Sequence, residues 1–125
     1  MLIDMAPGEV VDRLTILELK LERIADPARL GPVRFEHKQL SQALAAAAPI
    51  SGMETLRSAL KAVNAALWQV EDDIRACDRA RDFGPRFVEL ARSVYRHNDQ
   101  RCRLKQQINQ AAGSALTDVK SYAPY

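Results

Sequence analysis

The chain has 125 residues, a net charge of +2 and two cysteines. That length is enough for one domain with its own core and no disulfide or metal staples, and so small a net charge makes no case by itself for nucleic acid. Ala, Leu, Arg, Glu and Gln dominate while Gly and Pro are sparse, a helix-forming composition.

The first predicted helix covers residues 7–24. Val10, Leu14, Leu17, Leu21 and Ile24 recur at the spacing of one helical face, while Ile16 and Leu19 point almost the opposite way, so this helix is expected to be buried on two sides. Pro7 suits a first turn, and Glu9 and Asp12 favour the positive helix start. The flank that carries Glu9, Asp12 and Arg13 is either paired within the helix or aimed at a partner group inside the fold.

Asp26-Pro27 reads as an N-cap and first-turn proline, so helix 2 is expected over 27–47, with a kink or restart near Gly31 caused by Pro32. His37 falls on its apolar side, where histidine is more commonly a core residue than a ligand. Pro49-Ile50-Ser51-Gly52 breaks the chain. Helix 3, over 53–80, keeps heptad spacing through Leu56, Leu60, Val63, Leu67, Val70, Ile74 and Cys77. Trp68 stands on a charged flank, as a cover for the core edge or as an anchor for a partner.

Helix 4 is expected over 85–111, after a loop stapled by Phe83 and Phe87. Its apolar face starts with Phe87, Leu90, Ala91 and Val94, then carries Asn98, Arg101, Cys102 and Lys105 before Ile108 restores it. Charges at core positions need partners. Residues 1–30 hold four Lys/Arg against six Asp/Glu and residues 85–110 hold six against two, so the acidic first helix is the natural counterpart. The tail, 114–125, has no helical period and ends in tyrosines, among them Tyr122.

The run Pro7-Gly8-Glu9-Val10-Val11-Asp12-Arg13-Leu14-Thr15-Ile16-Leu17-Glu18-Leu19-Lys20 resembles the signature of a bacterial family of small helical proteins that is a domain of unknown function. Glu71-Asp72-Asp73-Ile74-Arg75, the stretch from Asp82 to Tyr95 and Lys120-Ser121-Tyr122-Ala123 resemble the same family in the same order. The resemblance implies a helical protein, docking of the terminal tyrosines, and by association an accessory role in glycan biosynthesis; it implies no chemistry.

No phosphate-cradling glycine loop, Cys-x-x-Cys pair or His-Glu metal spacing is present, so no cofactor and no metal are expected. Two helical enzyme classes are alternatives. Arg92 and His97 have the Arg-x4-His spacing of a small helical ribonuclease, although in a continuous helix they diverge by about 140°. Glu9-x-x-Asp12 with Glu71, Asp72 and Asp73 could serve a metal-dependent nucleotide hydrolase only if both sets faced one cavity. Arg92, Arg96 and Arg103 form a basic strip without aromatics, a weak case for nucleic acid.

The expectation is therefore an all-α, antiparallel up-down bundle of four helices in one domain with a short docked tail, acting as a non-catalytic binding or protein-interaction module. Its candidate site joins Glu9, Asp12 and Arg13 to Tyr95, Asn98, Arg101, Lys105 and Tyr122, for a protein partner or a small anionic ligand. Ile16, Leu19 and Trp68 are the candidate contacts of a homodimer. The cysteines read as reduced thiols, no apolar span or targeting peptide is evident, and a cytoplasmic setting without membrane attachment is expected.

Overall fold

The computed structural model describes residues 1–116 and 119–125; Thr117 and Asp118, part of the expected tail, lie outside the described residues. The chain folds into four helices, α1 (Pro7–Arg23), α2 (Leu30–Ala46), α3 (Met53–Arg79) and α4 (Pro85–Ala111), with a 3-10 turn at Pro27–Arg29. Among the described residues there is no strand, and no helix is long and apolar enough to cross a membrane.

Local chemistry accounts for the helix ends. Pro7 opens α1, where a missing N–H has no acceptor to lose. The Asp26 side chain accepts from the Ala28 N–H at 3.0 Å and starts the 3-10 turn. The kink expected at Pro32 takes the form of a change of helix type, because the turn hands over to α2 at Leu30. Pro32 is then third in α2, where backbone N–H groups still lack intrahelical acceptors.

The helix ends of α3 and α4 close alike. Ser114 N–H reaches Asn109 O and Gly113 N–H reaches Gln110 O, with Gly113 at φ +64°. In α3 the matching bonds run from Asp82 to Cys77 and from Arg81 to Asp78, and Arg81 takes φ +55° where glycine is the usual choice.

Packing departs from a ring of four helices. α1 lies against α2, α3 and α4, whereas the backbone of α2 approaches only α1 and its own leading turn. α1, α3 and α4 thus form the central unit, with α2 on the outside of α1. The buried arc of α1 is correspondingly wide: Val11, Leu14, Thr15, Leu17 and Leu19 are at most 2 % exposed. Val10, Leu21 and Ile24, expected on the main seam, are not fully buried. With three neighbours, α1 hides more than one strip, and Val11 takes the place given to Val10.

Val11, Leu60 and Ile108 meet in the core, and Leu44, Ile50, Met53, Leu56 and Leu104 pack around them. The α3 seam follows its heptads, with Leu60, Val63, Val70 and Cys77 buried and Leu56, Leu67 and Ile74 half-buried. At the α3–α4 corner the rings of Phe83 and Phe87 meet edge to face at 5.2 Å. α1 and α4 run in opposite directions, since Gly8 meets Asn109, Glu9 meets Lys105 and Asp12 meets Arg101.

Candidate functional site

The polar residues that interrupt the apolar face of α4 meet the start of α1. Arg101 donates from Nε to Asp12 Oδ1 at 2.8 Å and from Nη2 to Asp12 Oδ2 at 2.5 Å, a planar two-point pairing. Asp12 is 3 % exposed, so this charge is stable only because it is fully partnered. α3 adds Asn64, whose Nδ2 donates to Asp12 Oδ1 at 2.9 Å and to Thr15 Oγ1 at 2.8 Å. The Thr15 hydroxyl in turn donates to the Asp12 carbonyl at 2.8 Å. Three helices are thereby joined through one carboxylate. The hydrogen bond with Asp12 raises the Arg101 pKa against the opposing effect of burial.

One turn further along α4, Lys105 Nζ stands 3.0 Å from Glu9 Oε1. Next to it the Gly8 N–H, unsatisfied within its own helix, donates to Asn109 Oδ1 at 2.7 Å. Glycine is required there by space, since a Cβ would lie 2.4 Å from the Lys105 carbonyl oxygen and 2.8 Å from Asn109 Oδ1. Among the described residues no buried side-chain nitrogen or oxygen lacks a partner.

The C-terminal tail turns this patch into a pair of cavities. Asn98, Asp99, Arg101, Cys102 and Lys105 of α4, with Lys120 and Tyr122 of the tail, line one of about 230 Å³. A neighbouring cavity of about 360 Å³ is lined by Val94, Tyr95, Asn98, Asp99, Tyr122, Ala123 and Tyr125. The rings of Tyr95 and Tyr125 lie 5.0 Å apart, which ties the end of the chain to α4.

Five of the eight expected site residues, Tyr95, Asn98, Arg101, Lys105 and Tyr122, therefore line adjoining cavities. Glu9 and Asp12 stand behind them and hold the two cations. Arg13 is elsewhere. One residue beyond Asp12 it turns to α2, donating from Nε and Nη2 to Glu36 at 2.5 and 2.8 Å. That hydrogen bond raises the Arg13 pKa and holds the Glu36 carboxyl below its ordinary range. Sequence reasoning missed Asn64, Asn109, Asp99 and Lys120. Asn64 alone carried a signal, being four residues after Leu60 and so at the edge of the α3 seam.

The expected dimer contacts separate. Leu19 is 2 % exposed within its own chain, so it has no surface to offer a second copy; α1 is covered by three helices. Ile16 and Trp68 are half-buried, and the Arg23 guanidinium stands 5.7 Å above the Trp68 ring.

The residues of the two enzyme alternatives do not converge. Arg92 reaches Glu89, and His97 Nδ1 lies 2.8 Å from its own helix's Ser93 carbonyl. Glu9 and Asp12 are taken by cations on α4, while Glu71 pairs with Arg75 and Asp73 with Gln69. Among the described residues no group of three or more His, Cys, Asp or Glu is placed to hold a metal. His37 sits 3.7 Å from Glu18, beside Arg57 and Lys61. Burial pushes the Glu18 carboxyl up, but the hydrogen bond and charge of Arg57, with help from Lys61, outweigh it and leave the pKa lowered.

No curated protein and no solved structure gives a significant match to this chain. A family model described as "Family of unknown function (DUF6165)" matches residues 1–124, and with nearly its whole length covered the chain belongs to that family.

Proposed function

We propose that this protein is a non-catalytic binding module whose site is the cavity between α4 and the C-terminal tail, and that the site takes a small anion. One observation carries the reading: Arg101, Lys105 and Lys120 line the cavity, and among the described residues Asp99 is the one carboxylate in its wall. Asp12 engages Nε and Nη2 of Arg101 from behind, which leaves Nη1 outside that pair. A guanidinium fixed in this way loses little freedom when it binds, the basis of preorganised recognition.

Inorganic phosphate is the simplest probe. In a thermal-shift titration at constant ionic strength, phosphate is expected to raise the melting temperature with a saturating dependence on concentration. Lys120→Ala, an exposed substitution, is expected to weaken that response. A response equal to that of chloride would refute the reading.

A further inference from the structure

We propose that the ligand is a phosphate monoester joined through a sugar to a planar ring, of nucleoside monophosphate size, with its phosphate among the cations and its ring on the tyrosines. This rests on the anion site described above and assigns the part of the ligand that lies beyond it. The cation-lined cavity, at about 230 Å³, is smaller than the roughly 300–1,000 Å³ of ordinary small-molecule clefts. It suits one compact group, which Arg101 and Lys105 can meet while Asp12 and Glu9 hold them in place.

The cavity beside it has different chemistry. At about 360 Å³ it is walled by Tyr95, Tyr122, Tyr125 and Val94, a set of aromatic and apolar faces on which a planar ring can stack. Tyr122 is 78 % exposed and Tyr125 73 % exposed, so stacking would cover aromatic surface now open to water. The two cavities share Asn98, Asp99 and Tyr122 as a common wall. A single ligand can therefore span them.

The linker follows from that wall. A carboxylate next to an anion site repels a bare phosphate, yet it accepts well from neighbouring hydroxyls, as acidic residues do from ribose in dinucleotide folds. Asp99, with the Asn98 amide beside it, accordingly favours a ribose-like diol between phosphate and ring. A phosphorylated aromatic without a sugar would leave Asp99 unanswered.

The test is calorimetric titration of the full chain with AMP, UMP, ribose 5-phosphate and inorganic phosphate. The better of the two nucleotides is expected to bind at least about five-fold more tightly than ribose 5-phosphate, the low end of what stacking on an aromatic side chain supplies. Tyr122→Leu, at an exposed position, is expected to keep the melting temperature and bring nucleotide affinity down to that of ribose 5-phosphate. Equal affinity for ribose 5-phosphate and both nucleotides would overturn the ring subsite while leaving the anion site standing. A nucleotide preference that survives both Tyr122→Leu and Tyr95→Leu would also overturn it, by placing the ring elsewhere. Failure of all four compounds to bind would overturn the anion site itself.

Discussion

Gly8 and Asp12 show how single residues set the contact between α1 and α4. At Gly8 the obstacle to any side chain is the Lys105 backbone, whose carbonyl oxygen lies 2.4 Å from where a Cβ would stand, so it cannot be relieved by rotating a flexible neighbour. Gly8→Ala is expected to destabilise the fold by about 1–3 kcal/mol, the usual cost of overpacking, as measured by urea denaturation. Asp12→Ala takes from Arg101 the carboxylate that pairs with it at two points and strips Asn64 of an acceptor. About 3 kcal/mol of lost stability is expected, the scale found when one partner of a buried pair is removed. Arg81 offers the opposite sign. Its φ of +55° is strained for a residue with a Cβ, and Arg81→Gly is expected to stabilise by about 0.5–1 kcal/mol. A lower denaturation midpoint in that variant would show that the Arg81 side chain does more than occupy the turn.

Among the elements, α1 and α2 stand at opposite extremes of support. α1 has three helical neighbours and α2 has one, so their local stabilities should differ. Hydrogen exchange is expected to be markedly faster in α2 than in the middle of α1 and α3, and Arg13→Ala, which cuts the link to Glu36, should speed it further in α2 alone. Uniform protection across all four helices would contradict this arrangement. Much of the element structure was legible from periodicity. The α3 heptads and the proline and glycine breaks each have a direct local cause, and two-sided burial of α1 followed from Ile16 and Leu19 facing away from the main seam. Which helix packs on which was not legible, because a seam says that it is covered and not by what. Leu19 shows the consequence: an apolar residue off the seam reads equally as a dimer contact or as cover for a neighbouring helix, and here its own chain encloses it.

At the scale of the whole molecule, charge placement links stability, pH and the candidate site. The Glu18 and Glu36 carboxyls both lie below their ordinary range, Glu18 because Arg57 and Lys61 outweigh the effect of burial and Glu36 because of the hydrogen bond from Arg13. A depressed carboxyl contributes its full stabilisation above the unfolded-state pKa, about 4.3 for Glu, and loses it as pH falls through the lower folded value. Stability is thus expected to drop below about pH 4.3, and the Glu18→Gln, Glu36→Gln double variant should show a shallower drop in denaturation midpoint between neutral and acid pH.

The core of the site was visible in outline as charges standing where α4 should be apolar, Arg101 and Lys105 above all, opposite an acidic first helix. Of its outer wall Tyr95 and Tyr122 were expected, Tyr122 through the resemblance of the chain's ending; Lys120 was not, since residues 114–125 have no period from which a position can be read. Arg13 was misplaced for a simple reason: adjacent helical residues point about 100° apart, so it could not share the direction of Asp12.

Heteronuclear NMR during a phosphate titration of the full chain tests the central claim most directly, because it reports position as well as binding. The backbone and side-chain signals of Asn98, Arg101, Lys105, Lys120 and Tyr122 are expected to move together along one saturating curve, with Glu18, Arg57 and Lys61, the other cation cluster, unmoved. Shifts centred on Arg57 and Lys61, or no saturable shift at all, would contradict an anion site between α4 and the tail.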